Sequence, residues 1–425
     1  MQSRVVVGCQ WGDEGKGKIV DLLADDADLI VRFQGGANAG HTVIIKGEKF
    51  ILNLLPSGIL REGKKCVIAS GVVVDPRKLL DEISELKQHG ISASGRLFVS
   101  GKSHIVFPYH KFMDQYLEKA RGKGSLGTTK RGIGPAYTDR VARAGIRMYD
   151  ILDENYFKDR LNEALKIKRI GIPDADAIEE LSVEFNFQFI NNIVDSIREY
   201  ITDTSQLILG SLSNKESVLF EGAQGSLLDI DNGTYPFTTS SSTFLGGLFV
   251  GCGIAPFIPD ESIGIVKAYT TRVGAGPFPT ELSDVTGDKL RENGAEFGAA
   301  TGRPRRCGWL DFPILHYTSE LNGVNALAIT KLDVLSGLDR IKVCTGYRYR
   351  NTILERFPDN SLILKDCQPI YEEYPGWKES LEKVKEYEEL PENARYYLDA
   401  IEERLKVKIR YISIGADRSQ TIRKY

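Results

Sequence analysis

The residues best suited to chemistry lie near the start of the chain, in the segment 5–18, which reads VVVGCQWGDEGKGK. An apolar, β-branched run passes into a loop rich in glycine and lysine, and the helical pattern of Ile19, Val20, Leu22 and Leu23 follows. Glycine lets backbone N–H groups approach an anion, the following helix adds its positive end, and lysine adds a charge. The segment therefore predicts a strand, a phosphate-binding loop and a helix.

The loop differs from a standard P-loop, because Gly12 and Gly15 are too close together for the Gly-x-x-x-x-Gly-Lys-Ser/Thr pattern. It also contains two carboxylates, Asp13 and Glu14. Acidic groups would repel a polyphosphate unless they held Mg²⁺ or moved a proton, so the loop indicates catalysis as well as binding. The alternative is a glycine-rich turn with solvated charges.

A second glycine-rich loop, residues 34–42, follows the short apolar strand predicted over 28–33. Its small residues permit close approach of a ligand, and His41 stands where an acid or electrophile would be useful. A histidine in a turn is also compatible with a simple surface position. The sequence around His41 leaves both interpretations open.

Three further loops have the composition of anion or ligand sites. Residues 122–135 combine glycine, hydroxyl and basic side chains, which suits either a phosphate or a solvated lid. Residues 222–225 (GAQG) open a loop after a predicted strand, where open α/β sheets bind ligands. Residues 299–306 contain three arginines, which favour an anionic substrate over the alternative of a solvated basic patch.

The tripeptide Lys331-Leu332-Asp333 follows another buried strand pattern. An aspartate in this position can accept hydrogen bonds from both N1–H and the exocyclic amine of guanine, while the lysine stem lies along the base. Adenine does not present that pair of donors. The tripeptide therefore predicts selection of a guanine nucleotide.

The elements that must position these loops are strands alternating with helices. We predict strands over 5–7, 28–33, 66–70, 217–221, 263–269, 324–330 and 409–414, and a helix after Asp75-Pro76 that ends at Gly90. Residues 153–203 are helical in pattern, with one longer helix over 178–197, and the tail predicts helices over 381–387 and 397–405. This pattern is typical of an α/β fold with a large, mostly parallel central sheet flanked by helices, with helical and loop insertions.

The composition excludes some partners. The 425 residues carry 55 basic and 58 acidic side chains, and the net charge of −3 gives no electrostatic reason to expect nucleic acid or an anionic membrane. The six cysteines form no C-x-x-C pair, and no apolar run has the length of a membrane span. We expect a cytoplasmic protein without a membrane partner.

The motifs together resemble the adenylosuccinate synthetase family across essentially the whole chain. The matching segments are 10–18, 36–42, 127–129 with 132–135, 221–225, 302–306 and 331–333. The resemblance implies a P-loop-NTPase-like fold, with residues 1–425 as one domain and a helical insertion around 153–203. It also implies GTP-dependent ligation of L-aspartate to IMP through a 6-phosphoryl-IMP intermediate, giving adenylosuccinate, GDP and phosphate.

The resemblance further implies roles for individual residues. Asp13, His41 and Gln224 match catalytic residues, with Asp13 as the general base, and Asp13 and Gly40 match ligands of Mg²⁺. The implied GTP contacts are Gly12, Gly15, Lys16, Gly17, Lys18, Gly40, Thr42, Arg305, Lys331, Leu332, Asp333, Ser413, Ile414 and Gly415. The implied IMP contacts are Asp13, Glu14, Gly15, Lys16, Asn38, Ala39, Gly40, His41, Thr129, Arg143, Gln224, Thr239 and Arg303. The implied aspartate contacts are Ala299, Ala300, Thr301, Gly302, Arg303 and Arg305.

Arg143 matches a residue that the neighbouring subunit contributes to the IMP phosphate, which implies a homodimer. Two positions depart from the family pattern: Ala300 stands where threonine is frequent, and Ala416 stands where proline is frequent. The alternative function is a guanine-nucleotide switch or binding protein. It accounts for the first loop and the Lys331-Leu332-Asp333 tripeptide, but it leaves the arginine loop, His41 and the Gln224 loop without a role.

Overall fold

The computed structural model describes residues 3–45, 48–297, 302 and 304–424. The strands are β1 (Ser3–Gly8), β2 (Leu29–Arg32), β3 (His41–Ile45), β4 (Glu48–Leu52), β5 (Lys65–Ile68), β6 (Val73–Val74), β7 (Leu97–Ser100), β8 (His104–Ile105), β9 (Ile201–Thr202), β10 (Val218–Glu221), β11 (Glu261–Lys267), β12 (Thr270–Arg272), β13 (Arg306–Gly308), β14 (Leu310–Asp311), β15 (Ala326–Thr330), β16 (Arg340–Tyr349), β17 (Thr352–Leu354), β18 (Gln368–Pro375), β19 (Lys408–Ser413) and β20 (Thr421–Arg423).

The α-helices are α1 (Lys16–Leu23), α2 (Pro76–Gln88), α3 (Pro108–Arg121), α4 (Ile133–Ala142), α5 (Glu154–Lys168), α6 (Val183–Asn191), α7 (Val194–Arg198), α8 (Thr204–Ser213), α9 (Leu245–Cys252), α10 (Val285–Asn293), α11 (Phe312–Asn322) and α12 (Glu392–Leu405). Short 3₁₀ helices lie at Ala24–Asp26, Ser57–Leu60, Gly122–Gly124, Asp150–Leu152, Ala175–Ala177, Glu179–Leu181, Ser226–Leu228, Leu332–Leu335, Ser361–Asp366 and Tyr387–Glu389.

One large sheet organises the chain. Within the described residues it has ten strands in the order β20-β19-β15-β11-β1-β10-β2-β5-β7-β9, and only the edge pair β19–β20 is antiparallel. All seven strands predicted from the sequence belong to this sheet, and each observed strand begins and ends within a few residues of the prediction. The predicted α/β fold with a large, mostly parallel central sheet is confirmed.

The core lies on both faces of this sheet. Successive residues of β1 point to opposite faces, so Val5 and Val7 belong to one apolar cluster and Val6 to the other. All six residues of β1 are buried, because helices cover the two faces of a parallel sheet. This explains why the central strands are recognisable in the sequence as continuous apolar runs.

Two helix predictions are wrong. The pattern over 178–197 is not one helix, because Ser182 begins a new one: its Oγ accepts a hydrogen bond from Phe185 N (3.3 Å), and the segment divides into a 3₁₀ turn, α6 and α7. Residues 381–386 form no helix, and only a 3₁₀ turn follows at Tyr387–Glu389. Leu381 is buried in the core there, so its burial rather than helical packing explains the apolar position.

A second sheet was not predicted from the sequence. The long strand β16 pairs antiparallel with β17 and β18 and parallel with β14. Its solvent-facing positions carry lysine, arginine and threonine, so no uninterrupted apolar run marks it.

Across the part of the chain that the structure describes, no helix has the length and apolar character needed to cross a membrane.

Candidate active site

The predicted ligand loops meet along one edge of the large sheet. The strands β19, β15, β11, β1, β10 and β2 are consecutive neighbours in the sheet, and the loops of interest leave their carboxyl ends. In an open parallel sheet this edge is where ligands bind. The loop after β1 lies between the loops that follow β10 and β2 on one side and those that follow β15 and β19 on the other.

The loop after β1 has the backbone shape of an anion site. Gly12, Asp13 and Gly15 all have positive φ (87°, 59° and 87°), and α1 begins directly afterwards at Lys16. Residues in this conformation turn backbone N–H groups toward a common point, where the positive end of a helix adds to the field. Gly17 is also required, because a Cβ there would lie 2.9 Å from Cβ of His41.

Glu14 braces this loop from the inside. Its carboxylate is fully buried, accepts hydrogen bonds from the backbone N of Gln10 (3.1 Å) and of Gly12 (2.8 Å), and pairs with Lys16 Nζ (2.5 Å). The two carboxylates of the loop therefore differ in environment. Glu14 is occupied by the protein, whereas the Asp13 side chain keeps 34% of its surface exposed.

Asp13 faces an arginine from the arginine loop. Arg305 Nε lies 2.7 Å from Asp13 Oδ2. This ion pair joins the loop after β1 to the segment that leads into β13. The tertiary structure therefore brings the predicted base and a predicted substrate-binding arginine together.

Asp333 contributes a buried acceptor on the β15 side. Its Oδ1 is buried and has no hydrogen-bond partner among the described residues, and burial raises the pKa of this carboxyl. It lines a cavity of about 470 Å³ together with Gly337, Lys378, Ile414, Gly415 and Gln420. A buried acceptor at the wall of a cavity is suited to a ligand that brings hydrogen-bond donors.

Lys18 fixes the wall of that cavity. Its Nζ donates to Ser413 Oγ (2.7 Å), Gly415 O (2.8 Å) and Gln420 O (2.9 Å). Burial lowers its pKa to about 8. All three donors of the ammonium group are used within the protein, so Lys18 positions the loop after β19.

On the other side of the phosphate loop, Asn38, Gln224 and Thr239 form one connected group. Gln224 Nε2 donates to Asn38 Oδ1 (3.1 Å), and Asn38 Nδ2 donates to Thr239 Oγ1 (3.4 Å). Gln224 has a positive φ of 59°, and its Oε1 is buried without a hydrogen-bond partner among the described residues. A second unmet polar group therefore lies on this edge of the sheet.

His41 begins β3 and is held as a neutral imidazole. Burial, together with the positive charges of Arg32 and Lys16, lowers its pKa to about 3. Its Nε2 lies 3.6 Å from Glu221 Oε1 and makes no hydrogen bond within the described residues. A neutral histidine in this state can donate an N–H to a ligand oxygen.

Some predicted residues lie apart from this group. Thr129 is exposed on the loop before α4, and Arg143 is exposed at the end of α4, where its carbonyl accepts a hydrogen bond from Arg160 Nη2 (3.2 Å). Gly302 is exposed and has a φ of 63°. The predicted positions that lie outside the described residues are Ala299, Ala300, Thr301 and Arg303.

The remaining predicted contacts border the loops described above. Leu332 and Ile414 are buried beside Asp333 and Gly415, whereas Lys331 has a φ of 59° and its Nζ donates to Gly294 O. Ala39 and Thr42 are partly exposed and Gly40 is exposed.

Comparison with known proteins decides the family. A family model described as adenylosuccinate synthetase matches residues 5–422. The chain is 51% identical to the adenylosuccinate synthetase of Halothermothrix orenii over 424 residues, which covers 100% of this chain and 99% of the relative.

The chain belongs to the adenylosuccinate synthetase family. It is also 51% identical to the adenylosuccinate synthetase of Thermodesulfovibrio yellowstonii over 425 residues, which covers 99% of each chain. The solved structure of fully ligated adenylosuccinate synthetase from Plasmodium falciparum has a TM-score of 0.92 and 40% identity, with 100% of both chains covered. The predicted family is confirmed, and it is a family of ligases that form a C–N bond.

Adenylosuccinate synthetases require a divalent metal, and the residues predicted to hold it have suitable chemistry. Asp13 supplies a partly exposed carboxylate, and Gly40, an exposed residue, supplies a backbone carbonyl; both are hard oxygen ligands. The described residues contain no group of three or more His, Cys, Asp or Glu placed to hold a metal. Two protein oxygens completed by phosphate oxygens and water are typical of Mg²⁺ rather than of a metal held by the protein alone.

Two charged residues of this candidate site were not predicted from the sequence. Lys267 Nζ and Glu296 Oε1 lie 2.8 Å apart, and both side chains are buried. The sequence does mark Lys267, because it follows the apolar run 263–266 at the end of a fully buried strand, where an unpaired charge would be costly. Glu296 lies in a polar segment after α10 and carries no such signal.

Proposed function

We propose that this protein catalyses the GTP-dependent ligation of L-aspartate to IMP, with adenylosuccinate, GDP and phosphate as products. Family membership supports the reaction, and one feature of the sheet carries the assignment. Groups predicted for two different nucleotides flank the phosphate loop: Asp333 lies on the β15 side, and the Asn38–Gln224–Thr239 group lies on the β10 side. A ligase that transfers a phosphoryl group between two nucleotides needs two such sites.

We assign Asp13 as the general base of the first step. Its carboxylate takes the N1 proton of IMP, so that electron density moves to O6. O6 then attacks the γ-phosphorus of GTP, a new O6–P bond forms, and the bond from the γ-phosphorus to the bridging oxygen breaks with GDP as the leaving group. The product of this step is 6-phosphoryl-IMP.

In the second step the amine of aspartate attacks C6, and phosphate leaves with the C6–O6 bond electrons. The amine loses a proton as the new C–N bond forms. We assign His41 as a neutral N–H donor to oxygens that gain negative charge in the first step, which its low pKa supports. Gln224 Oε1, buried and unpaired, is assigned as an acceptor for IMP.

We assign Asp13 and Gly40 as the protein ligands of Mg²⁺, which would neutralise phosphate charge. Arg305 and residues 299–303 are assigned to aspartate, and Lys331, Leu332, Asp333, Ser413, Ile414 and Gly415 to the guanine end of GTP. The exposure of Arg143 supports its assignment to the IMP phosphate of a partner subunit in a homodimer. We further propose a cytoplasmic location and one domain over residues 1–425 with an insertion around 153–203.

A guanine-nucleotide switch is not favoured. Such a protein would need the phosphate loop and Asp333, but it would leave His41 Nε2 and Gln224 Oε1 as buried polar groups without a ligand. Switches also use a hydroxyl after the loop lysine to hold Mg²⁺, and here Gly17 follows Lys16.

GTP loss measured with and without IMP and aspartate tests the proposal. We expect GTP hydrolysis to require both IMP and aspartate and adenylosuccinate to form in equal amount. GTP loss that is indifferent to both substrates would refute the assignment and favour a switch. GTP loss that requires a different amine or a different purine would place the protein with another ligase specificity.

A further inference from the structure

Glu296 is a buried carboxylate on which four side chains converge. Its Oε1 accepts from Lys267 Nζ (2.8 Å) and Tyr269 OH and lies 3.7 Å from Lys331 Nζ. Its Oε2 accepts from Arg305 Nη1 (2.7 Å). The side chain has no exposed surface.

The main chain holds the same pair of residues together. Arg305 N donates to Glu296 O (2.9 Å), and the neighbouring residues Phe297 and Pro304 form an antiparallel bridge. Arg291 Nε at the end of α10 donates to Arg305 O (3.1 Å). Arg305 is therefore fixed at its backbone and at its guanidinium, and Glu296 contributes to both.

The charge balance keeps Glu296 ionised. Burial acts against the charged form, but Lys267, Lys331 and Arg305 outweigh it and lower the pKa of Glu296 to about 2. The two carboxylate oxygens contact different cations. Oε1 neutralises Lys267, whose side chain is 1% exposed, and Oε2 orients Arg305, whose side chain is 13% exposed. Arg305 in turn reaches Asp13 through Nε.

We propose that Glu296 is a positioning residue that holds the Arg305 guanidinium in place beside Asp13 for contact with substrate aspartate. The inference rests on the proposed function, because it takes Arg305 as a contact of substrate aspartate. Arg305 is long and has many rotamers, so a contact at Nη1 removes freedom that substrate binding would otherwise have to remove. Glu296 itself touches no substrate.

The two halves of the carboxylate can be separated by substitution. In Glu296→Gln only one oxygen remains as an acceptor. It can accept either from Lys267 and Tyr269 or from Arg305, but it cannot face both sides at once. Lys267 is the more deeply buried cation, so we expect the oxygen to face it and the amide N–H groups to face Arg305. The N–H donors of the amide then face the N–H donors of Arg305, so the guanidinium loses its hydrogen bond and its fixed position.

Tyr269→Phe is the matched control. It removes one hydrogen bond to Oε1 and leaves the contact between Oε2 and Arg305 in place. We expect both variants to lose thermal stability. We expect the KM for aspartate to rise about 10-fold to 100-fold only in Glu296→Gln, the range that follows from losing one charge-assisted hydrogen bond. The KM for IMP should stay within about 2-fold in both variants.

Steady-state kinetics of the full chain with GTP, IMP and aspartate give these values, with thermal unfolding measured on the same samples. An equal KM for aspartate in wild type and Glu296→Gln would overturn the positioning role, and so would an equal rise in Tyr269→Phe. If Glu296→Gln fails to fold, Glu296→Asp keeps the charge but shortens the reach, and an unchanged KM for aspartate there would also overturn the role. Wild-type protein that forms no adenylosuccinate would instead refute the proposed function.

Discussion

Arg305 Nε lies 2.7 Å from Asp13 Oδ2, and this ion pair joins the loop after β1 to the arginine segment before β13. The two residues are far apart in the sequence, and they are predicted to contact different substrates: Asp13 is predicted to contact IMP, and Arg305 to contact aspartate and GTP. Their pairing places a fixed positive charge beside the carboxylate that we assign as the base.

Asp13→Asn should abolish most turnover and leave IMP binding intact. The amide has almost the same shape as the carboxylate but cannot accept the N1 proton, so kcat should fall at least about 10²-fold. Titration of the variant with IMP and steady-state rates on the same preparation separate binding from chemistry. Turnover close to that of the wild type would rule out Asp13 as the base.

Asp333→Asn should change the preferred nucleotide. A carboxylate can accept hydrogen bonds from two N–H donors of guanine, whereas an amide offers one acceptor and one donor, which suits the 2-oxo group of xanthine. We expect kcat/KM to fall for GTP and to rise for xanthosine triphosphate. Asp339→Asn is the control, because Asp339 is exposed and pairs with Lys378 at the border of the same cavity. An unchanged preference in Asp333→Asn would contradict the guanine assignment.

The assignment of Arg143 to the partner subunit predicts complementation between two impaired variants. If Arg143 completes the site of the partner subunit, Arg143→Leu should raise the KM for IMP, and dilution of the wild type into monomers should lower activity. Mixing Arg143→Leu with Asp13→Asn should restore about a quarter of the wild-type sites, because random pairing yields half heterodimers with one intact site each. A mixture no more active than its components, or a fully active monomer, would show that the site is complete in one chain.

His104 is buried outside the candidate site, and its lowered pKa should make the stability of the fold sensitive to acid. Burial lowers its pKa from 6.5 to about 4, and Arg140 and Arg147 act in the same direction. The unfolded chain binds this proton more readily between these two values, so the stability from neutral His104 is present above pH 6.5 and is lost as the pH falls toward 4.

As the pH falls through that window, the free energy of unfolding should decline less steeply in His104→Gln than in the wild type. The two slopes should differ by about 1.4 kcal/mol per pH unit, the contribution of one proton. Denaturant unfolding at a series of pH values measures the slope. His89→Gln is the control, because His89 is exposed. Equal slopes in wild type and His104→Gln would show that His104 is not held neutral.

The sequence by itself determined the family, the class of fold and most of the candidate loops. Buried parallel strands are continuous apolar runs, so seven strands of the large sheet could be located, and the glycine-rich or polar segments after them marked the ligand loops. The cap at Asp75 and the proline after it also located α2, because Asp75 Oδ1 accepts from Lys78 N (3.2 Å). These signals are local in the chain.

The tertiary structure alone decided which loops become neighbours. The strand order brings the loop after β1 between those after β10 and β11, although more than 200 residues of sequence separate β1 from each of these two strands. Glu14 and Asp13 are adjacent carboxylates in the sequence, yet Glu14 is buried against backbone N–H groups and Asp13 faces Arg305. Nothing in the sequence around Glu296 indicates a special role, but in the folded chain it accepts hydrogen bonds from Lys267, Tyr269 and Arg305. The energy of a buried charge depends on partners that are distant in the sequence, so only the folded arrangement could reveal these roles.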